Sequence, residues 1–232
     1  DYVYVGTTGA GVAELNSADC VGTGAVPFYF PAPRFLRRSS VLRMGLRELS
    51  SSSCTVHVSL IGVLADPKEV DRWGHSDVGY SVFASDSGGW ACGASARYNG
   101  VIELVVRHDF VAMVLTGAAT SNLLEIEIRD SYGRRRDGSV TRMQGYDWFD
   151  QPTRFTNIVG TAANPAWLPI PYVFPAEGKI TVKLRDTSAV ANTVRICFHG
   201  CKLPLLAGGE SKKVRDDILR EILRTAYRHA PR

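Results

Sequence analysis

More than any other part of the chain, the stretch GKITVKLRDTSAVANTVRICFHGCKL, residues 178–203, determines which fold is expected. Its residues 180–184 place an apolar side chain at every second position, and residues 194–198 repeat the pattern. Side chains alternate between the two faces of a strand, so each run predicts a strand with one buried face and one face in water. Asp186-Thr-Ser188, between the runs, consists of turn-forming residues. The stretch therefore predicts two amphipathic strands on either side of a turn.

The same alternation recurs in the rest of the chain, at residues 56–60 and 124–128. Less regular strand candidates are residues 2–5, 26–30, 80–84, 90–96, 101–107 and 153–159. Turn signals such as Tyr98-Asn-Gly100 and Arg136-Asp-Gly138 separate the strands, and the 22 Gly and 11 Pro residues fit a turn-rich chain. Many short strands punctuated in this way predict an all-β fold, an antiparallel β-sandwich that is jelly-roll-like.

A different pattern marks the end of the chain. From residue 211 to 229, apolar side chains follow helical spacing, which predicts a C-terminal amphipathic α-helix of about four to five turns with Ser211 as its N-cap. Its apolar stripe contains Val214, Ile218, Ile222 and Tyr227. We therefore expect an N-terminal arm or strand over residues 1–24, a β-sandwich domain over 25–203, a linker over 204–210 and the helix over 211–229. Residues 35–49 fit either a short helix or an irregular basic strand.

Composition narrows the classes of partner. The net charge is +4, and residues 209–232 carry +3 of it through seven basic and four acidic side chains. Such a mild excess predicts no direct contact with nucleic acid. The longest apolar stretch, residues 101–118, contains four ionisable side chains, so we expect no membrane span. The five cysteines are too few and too scattered for a disulfide framework, so reduced thiols are expected.

Cys197, His199 and Cys201 have the residue types of a metal site. In a strand they share one face, but a rise of about 3.3 Å per residue places the two cysteines about 13 Å apart. Tetrahedral zinc holds its ligands at about 2.3 Å from the metal, so one strand does not supply both thiolates. A half-exposed strand face is the expected reading, and a metal shared with another subunit is the alternative.

Three other groups of residues have side chains that could support catalysis or phosphate binding. Ser85-Asp-Ser-Gly-Gly89 resembles the surroundings of a serine-protease nucleophile, Ser87, but it lacks the preceding histidine context and is expected to be a hairpin turn. Glu125 and Glu127 share a strand face, which fits either a glycosidase pair or a solvated face. Residues 6–11 match no phosphate-binding loop. We therefore expect no catalytic residue, no cofactor and no metal.

Aromatic and proline residues provide the candidate interface. Trp148, Trp167 and Tyr172 fit a sugar-stacking platform, or else the core and subunit interfaces, where such residues are enriched. Pro169 and Pro171 carry no N–H donor and so belong at an edge or bend of a sheet. We expect Trp167, Pro169, Pro171 and Tyr172 to contact other subunits, together with the apolar stripe of the C-terminal helix.

A basic loop is the second candidate contact. Arg134, Arg135 and Arg136 lie between Gly133 and Asp137-Gly138, at the tip of an expected turn. They fit a solvated turn, an acidic partner subunit or packaged nucleic acid. Three arginines supply a modest electrostatic contribution and no base-specific recognition.

A resemblance enters over residues 150–203. The segments that carry it are Phe155-Thr-Asn-Ile-Val-Gly160, Trp167-Leu-Pro-Ile-Pro-Tyr-Val-Phe-Pro175, Gly178-Lys-Ile-Thr-Val-Lys-Leu-Arg-Asp186, Asn192-Thr-Val-Arg-Ile-Cys-Phe-His-Gly200 and Lys202-Leu203. Together they resemble a β-sandwich type found among structural proteins of tailed bacteriophages, in which a Pro-rich segment leads into a strand ending in Asp-x-Ser and then into a strand with a Gly-x-Lys-Leu-like end. Such proteins are capsid decorations, collar or connector pieces and tail components.

The resemblance implies a protein of the virion that forms homo-oligomers and contacts other virion proteins. Its function would be geometric, through burial at repeated interfaces, and it would not be an enzyme. Two alternatives stay open: a carbohydrate-binding module that uses Trp148, Trp167 or Tyr172, and a hydrolase that uses Ser87 or an acidic pair.

Overall fold

The computed structural model describes the residues 5–6, 19, 21–22, 25–31, 53, 58–60, 80–85, 88–104, 108–121, 123–131, 133–134, 140–141, 147–174, 178–204, 217, 220 and 224. The chain divides into two compact units. The first unit comprises residues 1–33 and 77–232, and the second comprises residues 34–76. The predicted sandwich domain, 25–203, spans parts of both.

Nearly all described regular structure is β-strand. The strands are β1 Val5–Gly6, β2 Tyr80–Ala84, β3 Trp90–Cys92, β4 Arg97–Glu103, β5 His108–Ala119, β6 Leu124–Ser131, β7 Gly133–Arg134, β8 Val140–Thr141, β9 Thr153–Arg154, β10 Ala166–Phe174, β11 Lys179–Asp186 and β12 Asn192–Pro204. One helical turn, α1 Phe155–Ile158, follows β9. The predicted all-β fold is confirmed.

Two main sheets pack around the core. Sheet A has the order β1-β2-β12-β5-β10, with β3 also beside β12, and sheet B has the order β4-β11-β6-β9. Every pairing in them is antiparallel except β1 with β2, which is parallel. The quoted stretch supplies β11 and β12, which have neighbours on both sides. The two strands that looked most regular in the sequence are therefore the central strands of the two sheets.

The pairing of strands is nested along the chain. β6 pairs with β9, β5 with β10, β4 with β11 and β2 with β12, each time antiparallel. These eight described strands therefore form one long hairpin that is rolled so that alternate pairs fall in opposite sheets. Eight strands in two such sheets form a jelly roll, which is the type of sandwich that the sequence predicted.

The core lies between the two sheets. Three alternate residues of β11 are fully buried: Ile180, Val182 and Leu184. They belong to the same hydrophobic cluster as Ile196 and Phe198 of β12. Burying side chains of this size stabilises the fold by about 1.5–3 kcal/mol each. The period-2 pattern thus marks the residues that hold the two layers together.

The turn between β11 and β12 has the predicted chemistry. The backbone N–H of Ser188 donates to Asp186 Oδ1 at 2.6 Å, which is an Asx-type turn. The side-chain amide of Asn192 donates to Asp186 Oδ2 at 2.8 Å, and the N–H of Ser121 donates to Asn192 Oδ1 at 2.6 Å. Burial acts to raise the pKa of Asp186, but these hydrogen bonds from Ser188 and Asn192 hold it below its ordinary value. Both oxygens of the Asp186 carboxylate thus accept hydrogen bonds that stabilise the turn.

The segment around Ser85–Gly89 is not the hairpin turn that the sequence predicted. β2 and β3, on its two sides, both run antiparallel to β12, so the chain keeps its direction. Gly89 has a φ of +79°, a left-handed conformation that glycine adopts readily. β2 and β3 thus lie one after the other along the same side of β12. Ser87 itself lies outside the described residues.

Other expectations met different outcomes. Residues 153–159 contain the short strand β9 and then α1, so the predicted single strand is wrong. Residues 26–30 are not in a strand, also against prediction. In the second unit, Val58 and Leu60 are 37% and 53% exposed, against the buried face expected of residues 56–60.

The predicted C-terminal helix is described at three positions. Asp217, Arg220 and Arg224 are helical and exposed, and the Arg220 guanidinium lies 3.4 Å from the Asp217 carboxylate. The apolar stripe of Val214, Ile218, Ile222 and Tyr227 lies outside the described residues.

Candidate subunit interface

The Pro-rich segment forms an outward excursion at the edge of sheet A. β10 is the terminal strand there. Trp167 lies opposite Val114 of β5, and Tyr172 lies opposite Ala112, so four residues of β10 stand against one of β5. Ile170, at the middle of this excursion, is 80% exposed.

The excursion changes what this edge offers to another molecule. An ordinary edge strand presents a row of N–H and C=O groups to which a foreign strand can be added. Pro169 and Pro171 remove two of the donors, and the irregular register breaks the row. Strand addition is therefore disfavoured, whereas Ile170 presents an apolar side chain for packing. Ile170 was not singled out in the sequence, although the prolines on both sides of it were.

Tyr172 is used within the chain. Its hydroxyl donates a short hydrogen bond to Asp130 Oδ2, which joins β10 of sheet A to β6 of sheet B. Its ring centroid is 4.8 Å from that of Phe174, which belongs to the core cluster. Tyr172 is thus a tie between the two layers, a role for which the sequence carried no signal, since Asp130 lies 42 residues away.

Trp148 also bridges the sheets. Its backbone N–H donates to the carbonyl of Ile128 in β6 at 2.9 Å, while its ring lies 4.8 Å from that of Tyr172 and 5.5 Å from that of Phe174. Its indole Nε1 atom is buried and has no hydrogen-bond partner among the described residues. Trp167 is half-buried. Of the three aromatic residues considered for sugar stacking, Trp148 and Tyr172 therefore use their rings in contacts within the protein.

The outer face of sheet A, turned away from the core, is buried. His199 of β12 contacts Thr116 of β5, with Nε2 and Oγ1 2.6 Å apart, and both side chains are fully buried. The Thr116 hydroxyl also donates to the backbone carbonyl of Asp19 at 2.6 Å. The Asp19 carboxylate accepts from Arg195 Nε at 2.9 Å. The ring of Phe28 lies 4.9 Å from that of His199. Asp19 and Phe28, near the N-terminus, thus contribute to the burial of this face.

This burial overturns one expectation and sets the chemistry of the face. Cys197, His199 and Cys201 were expected on a half-exposed face, yet they are 2%, 0% and 0% exposed. Burial lowers the pKa of His199 to about 3, against a hydrogen bond with the backbone of Asp19 that acts to raise it. Burial also raises the pKa of the Cys201 thiol to about 12. The histidine is therefore neutral, and the thiol protonated, at ordinary pH.

The outer face of sheet B has the opposite character. Lys183 lies opposite Glu127, and Arg185 lies opposite Glu125, with nitrogen–oxygen distances of 3.0 and 3.6 Å. Lys179 pairs in the same way with Glu103 at 2.7 Å. The two glutamates considered as a glycosidase pair are thus each paired with a cation on the neighbouring strand. Such exposed pairs stabilise a sheet by about 0.2–1 kcal/mol each.

The predicted basic loop is described at its start. Arg134 belongs to β7 and lies opposite Val140 of β8, so residues 135–139 connect two antiparallel strands. Arg135 and Arg136 lie outside the described residues.

The described part of the chain contains neither a metal-binding cluster nor a membrane-spanning helix. Within the described ranges, no group of three or more His, Cys, Asp or Glu residues is placed to hold a metal ion. No helix in that part of the chain is long and apolar enough to span a bilayer. No protein-family model matches the sequence, and no curated protein is found to be similar to it.

Proposed function

We propose that the protein is a non-enzymatic structural component of a bacteriophage virion, such as a head decoration, a collar or connector piece, or a tail part. It assembles with copies of itself and with other virion proteins through side-chain packing at its surface. It binds no membrane and makes no direct contact with nucleic acid. The sequence resemblance over residues 150–203 is the origin of the proposal.

The observation that carries the proposal is the edge at β10. Pro169 and Pro171 disfavour uncontrolled strand addition, while Ile170 stays 80% exposed in the same excursion. A large exposed apolar residue on an edge protected in this way suits a defined contact with a neighbouring subunit. The jelly roll adds general support, because it is used by viral capsid proteins as well as by lectins and cupins. A fold alone does not decide among these functions.

Assembly is tested by native mass spectrometry and light scattering. We expect the wild-type protein to form a closed oligomer. Ile170→Asp should reduce the mass of the assembly without lowering the Tm of the subunit, because the Ile170 side chain is already exposed to water. Val190→Asp is the matched control, because Val190 is 69% exposed in the turn before β12. A strictly monomeric wild-type protein that also has no partner in a particle would overturn the proposal.

The predicted C-terminal helix gives a second test. Val214, Ile218, Ile222 and Tyr227 are expected to form an apolar stripe, and a helix appended to a β domain suits docking in a groove of another subunit. Deletion of residues 209–232 should then change the assembly state more than it lowers Tm. An unchanged assembly state would remove the helix from the proposed interface.

A carbohydrate-binding module is the second candidate, because jelly rolls include lectins. It is less well supported, since Trp148 and Tyr172 pack inside the protein. Binding to a glycan array that is lost on Trp167→Ala, with the oligomer intact, would favour it.

A further inference from the structure

We infer that Arg97, Arg185, Glu125 and Arg154, which we call the arginine row, bind an extended protein segment that carries two carboxylates. The row crosses the outer face of sheet B, with one residue from each of β4, β11, β6 and β9 in the order of the sheet. This surface is separate from the edge at β10, and its binding does not depend on whether the protein builds a virion.

The strand register places the four side chains of the arginine row on one face. Arg97 is paired with Arg185, Arg185 with Glu125, and Glu125 with Arg154. Directly paired residues of neighbouring strands point to the same side of a sheet. Leu184, next to Arg185 in β11, is buried in the core cluster. Because side chains alternate along a strand, the arginine row points away from the core.

The other charged contacts of this face are balanced. Lys183 and Lys179 each contact a glutamate of a neighbouring strand, at 3.0 and 2.7 Å. Arg129 donates to both oxygens of the Asp147 carboxylate, at 2.7 and 2.6 Å. Each of these cations is thus matched by one anion. The arginine row instead sets three guanidinium groups against one carboxylate, which leaves a net charge of +2.

Two of the three arginines have no carboxylate partner. Arg185 lies 3.6 Å from Glu125. Within the described part of the chain, neither Arg97 nor Arg154 forms an ion pair, and Arg154 donates to the Thr187 hydroxyl at 3.3 Å. Arg97 also lies directly opposite Arg185, and like charges in that position destabilise a sheet. Such an arrangement suits groups that an external anion neutralises.

The spacing of the row fits carboxylates on an extended protein segment. A guanidinium group binds a carboxylate through two parallel N–H donors. Neighbouring strands lie about 4.8 Å apart, so the backbones at Arg97 and Arg154, three strands from each other, are about 14 Å apart. An extended chain rises about 3.3 Å per residue, so its residues i and i+4 lie about 13 Å apart on one side. Two acidic residues with that spacing match the two arginines that lack an ion pair.

A polyanion such as nucleic acid fits this face less well. Glu103, Glu125 and Glu127 lie on the same face and would repel an evenly charged backbone. An acidic segment with a neutral residue at i+2 avoids this repulsion, because that residue falls between Arg185 and Glu125, whose charges cancel. The predicted ligand is therefore acidic at i and i+4 and uncharged between them.

NMR titration of the full chain with short peptides tests the inference, with the Nε–H signals of arginine as the readout. The probe is a threonine peptide with glutamate at its second and sixth positions. The control peptide has its glutamates at the second and third positions, which point to opposite sides of an extended chain. We expect the probe to bind, the control peptide to bind about threefold more weakly or less, and added salt to weaken the binding of the probe.

Substitutions on the face test which side chains bind the probe. Arg97→Gln and Arg154→Gln should each weaken its binding by about threefold to fivefold, as expected for one exposed ion pair. Lys183→Gln is the matched control, because it removes the same charge from the same face, but its lysine already contacts Glu127. It should weaken binding by less than about twofold. Arg97→Gln should also keep or raise Tm, because it removes a like-charge pair.

Three results would overturn the inference. Equal binding of the two peptides, or binding of neither, would mean that the row does not recognise this spacing. Equal weakening by Arg97→Gln and Lys183→Gln would mean that only the overall charge of the face matters. Tighter binding of a short thymidine oligonucleotide than of the probe, at the same ligand charge and salt, would assign the face to nucleic acid. The peptide comparison needs no substitution, and none of these measurements depends on the assembly state.

Discussion

Thr116 Oγ1 lies 2.6 Å from His199 Nε2 and 2.6 Å from the carbonyl oxygen of Asp19. A hydroxyl has one proton, and the carbonyl can only accept, so the hydroxyl proton goes to Asp19. The imidazole must then donate its Nε2–H to Thr116. One threonine thus sets the tautomer of a buried histidine and also binds the backbone at Asp19.

The first prediction concerns pH. His199 has a pKa of about 3 in the folded protein and about 6.5 when unfolded. Between these values the unfolded chain binds a proton that the folded chain does not, so stability falls as pH drops below about 6.5. We expect a loss of about 2 kcal/mol between pH 7 and pH 5 from this residue. Urea unfolding at the two pH values measures it.

His199→Gln provides the comparison for that prediction, since the amide can still donate to Thr116 but does not titrate. Its stability should change less between pH 7 and pH 5 than that of the wild type. Asp19 contributes with the opposite sign, because burial raises its pKa more than Arg195 lowers it, so its protonation favours the folded state. Equal pH dependence in wild type and variant would contradict the prediction.

The second prediction concerns the hydroxyl of Thr116. Thr116→Val keeps the shape of the side chain but removes the hydroxyl. His199 and the carbonyl of Asp19, which are both buried, then lose this hydrogen-bond partner. We expect a loss of about 1–3 kcal/mol in the free energy of unfolding, measured by urea denaturation. Thr116→Ser keeps the hydroxyl and should lose clearly less. If the two variants are equally destabilised, the hydrogen bonds are not the cause.

The third prediction concerns the close packing of Trp90 on Gly100. A Cβ atom at residue 100 would lie 2.5 Å from the Trp90 ring, whereas one at Gly88 would meet nothing within 4 Å. Gly100→Ala must displace a buried ring and should cost about 1–3 kcal/mol. Thermal unfolding and tryptophan fluorescence both report this change. Gly88→Ala should leave both readings unaltered, and a similar loss in both variants would argue against the contact.

The fourth prediction concerns the tie between the sheets. Tyr172→Phe removes the hydroxyl that donates to Asp130 and should cost about 1.5–3 kcal/mol, as expected for a hydrogen bond to a charged group. Tyr29→Phe is the control, because Tyr29 is 56% exposed. Chemical denaturation compares the two. A Tyr172→Phe protein as stable as the control would show that the hydrogen bond adds nothing net to stability.

The sequence was most informative where burial is decided locally. Ile180, Val182 and Leu184 alternate with polar residues, and this pattern alone located a central strand and its core face. The Asx-type turn at Asp186 was equally visible, because its chemistry lies within two residues. Fold class and the layout of β11 and β12 follow from such local signals.

The candidate sites were less predictable, because their contacts are distant in sequence. Arg195 and Asp19 are 176 residues apart. The alternation in β12 therefore indicated a face in water, whereas contacts with distant residues such as Asp19 and Phe28 help to bury it. Tyr172 offered an aromatic ring but no hint of Asp130 as its partner. The excursion at Ile170 was predictable in part. Pro169 and Pro171 predict an irregular edge, but they do not indicate which side chain is exposed.

The nested pairing has a consequence for the order of folding. Ile126 meets Thr153 in the innermost pair, while Phe83 must find Phe198 in the outermost. Loops of such different lengths close at different entropic cost, and non-local pairing slows folding. We therefore expect β6 and β9 to pair first, and the outer strand pairs of the jelly roll to form after them. On the ribosome it remains open until β12, the last of the described strands, has emerged, because sheet A lacks its central strand until then.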